Sequence, residues 1–195
     1  MPYTPRFPNL LERYKRSQDT ASFSDEELQM LDEILAGIIQ HCTNYCGQSL
    51  LETEEVHTLD GTETRYSLPF TKVPVALVSQ TSKADEFAAE TPVTGQQYAL
   101  DRIPGIVFLS FSGETEGKRL VKLRVGYTET TLPEDVQQFF TEALRIAWKE
   151  SAKGDNRLGE QSVSQSFQGG TLTRVFSSLE KRKKAVLGPY KRPNL

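Results

Sequence analysis

The stretch "VGYTETTLPEDV", residues 125–136, joins the end of a predicted strand to the start of a predicted helix, and it decides the fold. Val125 and Tyr127 close an alternating apolar run, which is typical of a strand with one buried face. Pro133 suits the first turn of a helix, where its missing amide hydrogen costs no hydrogen bond, and the two acidic residues after it complement the helix dipole. The sequence therefore predicts β structure before this joint and a helix after it.

Two long helices are predicted, one on each side of the β region. The first begins at a capping box, in which Ser24 and Glu27 each bond the other's main chain, and it ends at Gly47. Both helices carry apolar residues at the spacing of an amphipathic helix. The first stripe contains Leu28, Leu31, Ile34, Leu35, Ile38, Ile39, Cys42 and Cys46, and the second contains Val136, Phe139, Phe140, Ala143, Leu144, Ala147 and Trp148.

Between the helices the period of the apolar residues changes to two, which indicates a compact β lobe. Asp60-Gly61 predicts a tight hairpin, and "VPVALVSQ" at 73–80 predicts a mostly buried strand. A further strand is predicted from Ile106, after a Pro-Gly turn. The irregular stretch 82–97 is the longest predicted loop, and long loops often make the contacts of a protein.

The two ends of the chain are predicted to be extended arms. Residues 1–23 contain Pro2, Pro5 and Pro8, and proline at this density disfavours an early helix. Residues 153–170 are polar and rich in glycine, with a short helix predicted at 171–187. Ordering such segments costs about 1 to 2 kcal/mol per residue in backbone entropy, so we expect the arms to fold against other subunits or partners.

The sequence therefore predicts an α+β fold, a small helical bundle with an inserted, mostly antiparallel β lobe and extended N- and C-terminal arms. The predicted divisions are an N-terminal arm at 1–23, a core at 24–152 and a C-terminal extension at 153–195. Within the core, the helices at 24–47 and 132–152 flank the lobe at 48–131.

Composition excludes several classes of protein. The chain is 37% hydrophobic and 25% charged with a net charge of −3, which disfavours both a disordered chain and a strongly basic nucleic-acid binder. No apolar run is long enough to span a membrane or to form the core of a signal peptide, so we expect a soluble protein made in the cytosol. Two cysteines give no disulfide framework, which agrees with a reducing compartment.

The sequence "HCTNYC" at 41–46 is the strongest candidate for metal or thiol chemistry. Cys42 and Cys46 share a helical face, but a structural zinc site needs four ligands and only His57 remains besides His41. A nucleophile at Cys42 with His57 and Asp60 has no supporting local signature. We therefore interpret both cysteines as core residues, and predict no catalytic, metal-binding or cofactor-binding residues.

A basic run, Lys181–Lys184, lies in the predicted C-terminal helix. One interpretation is a contact with phosphate or with an acidic protein surface. The other is a solvated helix end, whose positive charge suits the helix dipole.

Several short motifs follow one another in a characteristic order. They are "NYCGQSL" at 44–50, "RVGY" at 124–127, "LPEDVQQFFTEALRIAW" at 132–148, "GEQSVSQSF" at 159–167 and "GPYKR" at 188–192. In this order they resemble the head-to-tail connector, or adaptor, family of tailed bacteriophages and related gene-transfer particles. The N-terminal arm and the loop 82–97 depart from the family pattern, so they leave the tail-side partner open.

The resemblance implies a structural virion protein with no enzymatic activity and no cofactor. Such a protein forms a homo-oligomeric ring, typically of twelve subunits, that docks on the portal protein and extends the exit channel toward a tail-side neck or tail protein. Double-stranded DNA passes through without sequence-specific binding, and no membrane is involved. The ring would lie in the neck of the virion, assembled in the host cytoplasm.

The resemblance also implies which residues meet the portal. They lie in the C-terminal tail, which is expected to be disordered alone and to fold into the neighbouring ring. The predicted contact residues are Leu187, Gly188, Pro189, Tyr190, Lys191 and Arg192.

Two other functions remain open at this stage. One is a stand-alone protein- or glycan-binding module, in which the β lobe stands on a helical stalk and the loop 82–97 carries the affinity. The other is a metal-dependent or thiol enzyme at His41, Cys42 and Cys46.

Overall fold

A computed structural model shows an α+β fold, which confirms the predicted class. It describes residues 3–18, 23–85, 87–103, 106–154 and 179–192, with only the backbone described at 150–154. The chain divides into two compact units. One unit is helical and comprises Met1–Tyr45 and Thr128–Gly188, and the other holds the sheets and comprises Cys46–Tyr127 and Pro189–Leu195.

The described residues form four α-helices. They are α1 (Pro8–Ser17), α2 (Asp25–Cys46), α3 (Glu134–Gly154) and α4 (Glu180–Leu187), and a short 3-10 helix, Gly188–Tyr190, follows α4. None of the helices in the described part of the chain is both long and apolar enough to cross a membrane. The predicted start of the last helix at 171 lies outside the described residues; α4 itself begins at Glu180.

The capping box at the start of α2 is confirmed. The Ser24 amide donates to Glu27 Oε2 at 2.8 Å, and the Glu27 amide donates to Ser24 Oγ at 3.2 Å. Each side chain thus satisfies a main-chain N–H that the helix itself leaves without an acceptor. At the other end, Gly47 has φ +66°, the left-handed conformation that commonly ends a helix.

The predicted extended N-terminal arm is wrong for Pro8–Ser17, which forms helix α1. Pro8 occupies the first position of the helix, where proline is tolerated, so it starts the helix instead of preventing it. Phe7 at the N-cap provides no side-chain acceptor. The acceptors come from distant carboxylates: Asp32 Oδ1 lies 3.3 Å from the Phe7 amide, and Glu129 Oε2 lies 3.0 Å from the Leu10 amide.

Asp32 is a fully buried carboxylate that holds the N-terminal segment on α2. It accepts hydrogen bonds from the Tyr3 hydroxyl at 2.7 Å, from Arg6 Nε at 3.0 Å, and from the amides of Arg6 and Phe7. Burial by itself raises the pKa of this carboxyl, but the bonds from Tyr3 and Arg6 outweigh burial, and the pKa is lower than usual.

Helix α3 buries the apolar stripe predicted for it. The side chains of Val136, Phe139, Phe140, Ala143, Leu144 and Ala147 are all at most 1% exposed. Trp148 is only half-buried and meets Phe23 edge to face, with ring centroids 6.3 Å apart. Arg13 of α1 bonds Glu134 and Gln137, which ties α1 to the first turn of α3.

The β unit contains two antiparallel sheets. Strands β1 (Thr53–Asp60), β7 (Lys118–Val125), β3 (Val75–Lys83) and β4 (Thr91–Pro92) form one sheet in that order. Strands β2 (Arg65–Leu68), β6 (Ile106–Phe111) and β5 (Tyr98–Ile103) form the other. The buried side chains of this unit include Leu50, Tyr66, Leu68, Phe70, Val73, Val107, Leu109, Phe111, Arg119, Val121, Leu123 and Val125.

The predicted hairpin at Asp60-Gly61 is wrong, although the turn is present. Strands β1 and β2 flank the turn but belong to different sheets. Asp60 accepts from the Thr62 amide at 3.0 Å, while the Gly61 amide donates to the Gly117 carbonyl at 2.9 Å. The main chain at Gly61 is therefore still paired beside β7, as in β1. Only after the turn does the chain enter the second sheet, at β2.

The strand predicted as mostly buried at 73–80 is half exposed. Strand β3 alternates between exposed and partly buried residues, and its register with β7 shifts between Leu77 and Ser79. Such a bulge twists a strand and changes which face its side chains occupy.

Replacing Asp32 with Asn is expected to destabilise the N-terminal segment. The neutral amide cannot accept all the bonds that the carboxylate accepts from Tyr3, Arg6 and Phe7, so we expect the free energy of unfolding to fall by about 3 kcal/mol. Because the folded pKa of Asp32 is lowered, its contribution is present above the unfolded pKa and is lost as the pH falls through the folded pKa.

Urea denaturation at a series of pH values checks this expectation. The wild-type protein should lose stability from about pH 4 downward, and the Asp32→Asn variant should lose less over the same range. Glu33→Gln, at the exposed neighbouring position, is the matched control and should behave like wild type. Equal acid sensitivity in Asp32→Asn and wild type would contradict the role of this carboxylate.

Replacing Phe140 with Ala should lower the free energy of unfolding by about 3 to 5 kcal/mol, because the ring is fully buried and its loss leaves a cavity. Thermal melting measures the change. Trp148→Ala should cost less, because this side chain is half-buried, and Gln138→Ala on the exposed face of α3 should be near neutral. A near-neutral Phe140→Ala would show that the ring does not fill the core.

Candidate partner-binding site at the C-terminal tail

The six residues predicted to meet the portal differ in their exposure. Leu187 is fully buried and Tyr190 is 8% exposed, whereas Gly188, Pro189 and Lys191 are exposed and Arg192 is half-buried. The resemblance implies a tail that is disordered in the isolated chain. This expectation is wrong as far as Arg192, because residues of the tail pack on their own chain. The segment beyond, 193–195, lies outside the described residues.

Gln48 holds the tail through main-chain groups. It is 3% exposed, and its Nε2 donates to the Tyr190 carbonyl at 2.6 Å and to both the carbonyl and Oγ1 of Thr71 at 2.7 Å. Its Oε1 accepts from the Thr71 amide at 3.1 Å. Since an amide group has two hydrogens, the three acceptors share them.

Thr71 extends the same network along the tail. Its Oγ1 accepts from Gln48 and donates to the Lys191 carbonyl at 3.2 Å. The hydroxyl thus uses both its donor and an acceptor position. Two consecutive carbonyls of the tail, those of Tyr190 and Lys191, are therefore bound by the β unit.

Arg192 docks on the segment where α2 ends and the chain enters the β unit. Its amide donates to the Cys46 carbonyl at 2.6 Å, and its Nε donates to the Pro69 carbonyl at 2.7 Å. Its guanidinium lies 4.8 Å from the centroid of the Phe70 ring, a cation–π distance. The Arg192 amide thereby satisfies one of the carbonyls that the end of a helix leaves free.

Aromatic contacts fix Tyr190 in place. Its ring meets Tyr127 edge to face at 6.4 Å, and the Tyr127 hydroxyl in turn donates to the Lys72 carbonyl. Lys72 has φ +50°, an unusual conformation for a side chain with a Cβ. The tail therefore sits against a loop whose geometry is set by hydrogen bonds.

This arrangement sorts the tail into two groups of side chains. Tyr190 and Arg192 hold the tail on the β unit, while Gly188, Pro189 and Lys191 remain exposed. We call Pro189 and Lys191, which both belong to the β unit, the exposed tail face. It is a short, preformed surface that carries one positive charge.

The cysteine cluster shows no geometry of a reactive site. Both Cys42 and Cys46 are fully buried thiols, and burial raises the pKa of Cys46 to about 11, so its thiolate is scarce at neutral pH. Burial, and then the charge of Lys183, lowers the pKa of His41. Within the described ranges, no group of three His, Cys, Asp or Glu residues is placed to hold a metal ion.

The other two residues of the thiol hypothesis have structural contacts. His57 Nε2 lies 3.3 Å from the Glu55 carboxylate, and its ring meets Phe70 edge to face. The Asp60 carboxylate accepts from the amide and hydroxyl of Thr62, and these bonds lower its pKa. The Asp60 carboxylate is thus engaged locally, whereas His57 Nε2 is buried and forms no hydrogen bond with the described residues.

The basic run 181–184 is largely paired within the helical unit. Lys183 Nζ lies 2.6 Å from Glu180, Lys184 lies 3.3 Å from the same carboxylate, and Arg182 pairs with Glu142 of α3. Lys183 also lies 4.9 Å from the centroid of the Tyr45 ring. These contacts favour a helix end held by ion pairs over a phosphate site.

Sequence reasoning missed Gln48, which is the centre of the site, and Asp32. For Asp32 the sequence did contain an indication of a buried carboxylate. It is a charged residue that lies beside Leu31 and one turn before Leu35, and both leucines belong to the apolar stripe of α2. For Gln48 no local pattern exists, since its partners are 23 and 142 residues away.

Replacing Gln48 with Leu should release the tail, because the Tyr190 carbonyl and the Thr71 amide would lose their partner while remaining buried. Each unsatisfied group costs about 1 to 3 kcal/mol. Hydrogen exchange of the Arg192 amide measures the effect and should become faster. Gln40→Leu makes the same chemical change at an exposed position of α2 and should leave that exchange unchanged. Unchanged exchange in Gln48→Leu would contradict the proposed role of the amide.

Comparisons with known proteins show a likeness of fold to three solved chains. No protein-family model matches the chain, and no curated protein matches it. Among solved structures, a chain in the neck of an empty gene transfer agent particle, computed with C6 symmetry, is similar with a TM-score of 0.59 and 16% identity. The alignment covers 96% of this chain and 90% of that one.

Two further structures show the same likeness. A chain in the neck of a native gene transfer agent particle, computed with C12 symmetry, has a TM-score of 0.59 and 14% identity. A chain in the virion of the native particle has a TM-score of 0.56 and 12% identity, and both alignments cover 99% of this chain and 94% of the other. At these identities the likeness establishes that the fold of this chain is that of a component of such particles, over nearly its whole length.

Proposed function

We propose that this chain is a structural subunit of the neck of a phage-like particle, a head-to-tail adaptor that docks on the portal and extends the DNA channel. The observation that carries the proposal is the likeness of fold to chains from gene transfer agent necks, which covers 96 to 99% of this chain. A likeness of this extent includes both the helical unit and the β unit.

A ring of identical subunits follows from the same comparison. The similar neck structures were computed with C6 and C12 symmetry, which fits a closed ring of six or twelve copies. A net charge of −3 per subunit makes such a ring acidic as a whole. Double-stranded DNA would then pass without being held by bulk electrostatic attraction.

The exposed tail face is the proposed contact with the portal. Tyr190 and Arg192 hold the tail on the β unit, so Pro189 and Lys191 are presented in a fixed conformation. Docking through a preformed surface loses less conformational entropy than docking through a flexible tail. Tyr190 and Arg192 would act indirectly, by holding the face in place.

Replacing residues of the exposed tail face with glutamate tests this contact. We expect Pro189→Glu combined with Lys191→Glu to reduce co-sedimentation with portal rings of the same particle by roughly tenfold or more, because a fixed contact loses its cation and gains repulsive charge. Deleting residues 187–195 is a poorer test, since Leu187 and Tyr190 are buried and their loss would disturb the fold.

Lys181→Glu, which makes the Lys191→Glu charge reversal at an exposed position of α4, is the control. Its co-sedimentation should equal that of wild type, and thermal melting should show both variants folded. Undiminished binding by the tail variant would contradict docking through this face. Wild-type protein that fails to bind portal rings would contradict the adaptor function itself.

One observation favours the second candidate, a protein-binding module. Phe87, in the loop 82–97, is 98% exposed, and Asp85 Oδ1 fixes the turn beside it by accepting from the amides of Phe87 and Ala88 at 2.8 Å. An aromatic side chain held in solvent is a typical anchor for a partner. A Phe87→Ser variant that assembles into normal particles would disfavour this candidate.

A further inference from the structure

The exposed apolar side chains are concentrated in the β unit. Among the described residues, every large hydrophobic side chain that is exposed belongs to this unit, and none belongs to the helical unit. Three of them lie on two strands at sheet edges: Val56 on β1 is 63% exposed, and Tyr98 and Ile103 on β5 are 49% and 47% exposed. Apolar surface confined to particular strands indicates a site of interaction.

Each sheet has one blunt edge and one open edge. The blunt edge of the second sheet is β2, which has four residues. In the first sheet the edge opposite β1 consists of the two-residue β4, which contains Pro92 and pairs only with Thr81 and Ser82, and of the part of β3 that carries the bulge between Leu77 and Ser79. Short strands and proline are common devices that prevent strands of different molecules from pairing. The open edges are β1 with eight residues and β5 with six, and neither contains a proline.

The hydrogen-bond pattern shows which main-chain groups of β1 point away from its sheet. The Gly61 amide donates to the Gly117 carbonyl, and this pair continues the register of β1 with β7. In an antiparallel pair the bonded residues alternate. The odd-numbered residues of β1 therefore bond β7, and the main-chain groups of Glu54, Val56 and Thr58 point outward.

The same reasoning applies to β5. The Ser112 amide donates to the Gln97 carbonyl, in the register that pairs Tyr98 with Phe111. The odd-numbered residues of β5 therefore bond β6, and the main-chain groups of Tyr98, Leu100 and Arg102 point outward. Within the described ranges, no backbone group bonds the outward amides and carbonyls of these two strands, and exposed apolar side chains lie beside them.

We propose that β1 of one copy pairs with β5 of the next copy, so that the sheets of neighbouring subunits join edge to edge around the ring. The inference rests on the proposed ring assembly and names the surface that would build it. Two different edges make a head-to-tail contact, which every subunit can repeat and which closes into a ring. A contact of β1 with β1 would instead give a two-fold dimer.

Charge favours the head-to-tail pairing over β1 with itself. Strand β1 carries three acidic residues, Glu54, Glu55 and Asp60, so two copies of β1 would bring like charges together. Strand β5 carries Arg102 beside Asp101 and has no net charge. Pairing β1 with β5 therefore avoids most of the repulsion and also covers Val56, Tyr98 and Ile103 in one contact.

Proline substitution tests the main-chain pairing. We expect Thr58→Pro to weaken ring formation by roughly tenfold or more, because it removes an outward amide from the open edge without touching the bonds to β7. Ser67→Pro is the matched control: by the register of β2 with β6 its amide also points outward, but on a blunt edge. Analytical ultracentrifugation of the full chain measures assembly, and circular dichroism checks the fold.

The expected result is loss of rings for Thr58→Pro and normal rings for Ser67→Pro. Equal assembly of Thr58→Pro and wild type would overturn the proposal, and so would a wild-type chain that stays monomeric at its highest soluble concentration. This experiment contains no portal protein. Loss of edge pairing would therefore appear as loss of rings in ultracentrifugation, whereas loss of portal docking would appear only in co-sedimentation with portal rings. The two failures are thus distinguished.

Cross-linking identifies the paired strands directly and does not depend on proline. A Thr58→Cys protein is mixed with a Leu100→Cys protein, and oxidation should give mainly the mixed disulfide dimer. The native thiols are buried, so they should react little. Dimers of Thr58→Cys with itself would indicate two-fold pairing of β1, and dimers of Leu100→Cys with itself would indicate pairing of β5; either result in place of the mixed dimer would overturn the proposal.

Discussion

Both described ends of the chain depend on one constraint, that buried polar groups must be hydrogen-bonded. Asp32 meets this constraint in the helical unit, where it binds the Tyr3 hydroxyl and the amides of Arg6 and Phe7. Gln48 meets it in the β unit, where it binds the Tyr190 carbonyl. Because an unpaired buried group costs more than a typical hydrogen bond contributes, each of these side chains specifies one position for a segment of chain that has little apolar surface of its own.

Features set by neighbouring residues could be predicted from the sequence. The capping box at Ser24, the end of α2 near Gly47 and the burial of Phe139 and Phe140 all follow from spacing over a few residues. Features set by distant residues could not. At the start of helix α1 the amides of Phe7 and Leu10 bond Asp32 and Glu129 elsewhere in the chain, and no local pattern indicates these partners.

The same distinction explains the errors in the β unit and at the site. Asp60-Gly61 does form a turn, but β1 pairs with β7, almost sixty residues later, so the turn does not make a hairpin. At the tail, the prediction named Leu187–Arg192 as a set, yet the hydrogen-bond partners described for Tyr190 and Arg192 include residues more than a hundred positions away. Which tail residues are buried and which are exposed was therefore decided by contacts that spacing does not encode.

A buried arginine shows how the β unit can be rigid enough to present an edge strand. Arg119 lies two residues before Val121 and four before Leu123, so its side chain is on the same, buried face of β7. Its guanidinium lies 3.8 Å from the centroid of the Phe111 ring and donates to the Gly113 carbonyl and to Gln96 Oε1. Burial lowers the pKa of Arg119, but an arginine keeps its charge at neutral pH, so these acceptors must stay in place to compensate it. Gln96 lies two residues before β5, and its Nε2 donates to the Glu114 carbonyl, so one buried charge fixes both the entry to the open edge and the loop opposite. An edge held in this way loses little entropy when another strand pairs with it, which suits the edge-to-edge contact proposed above.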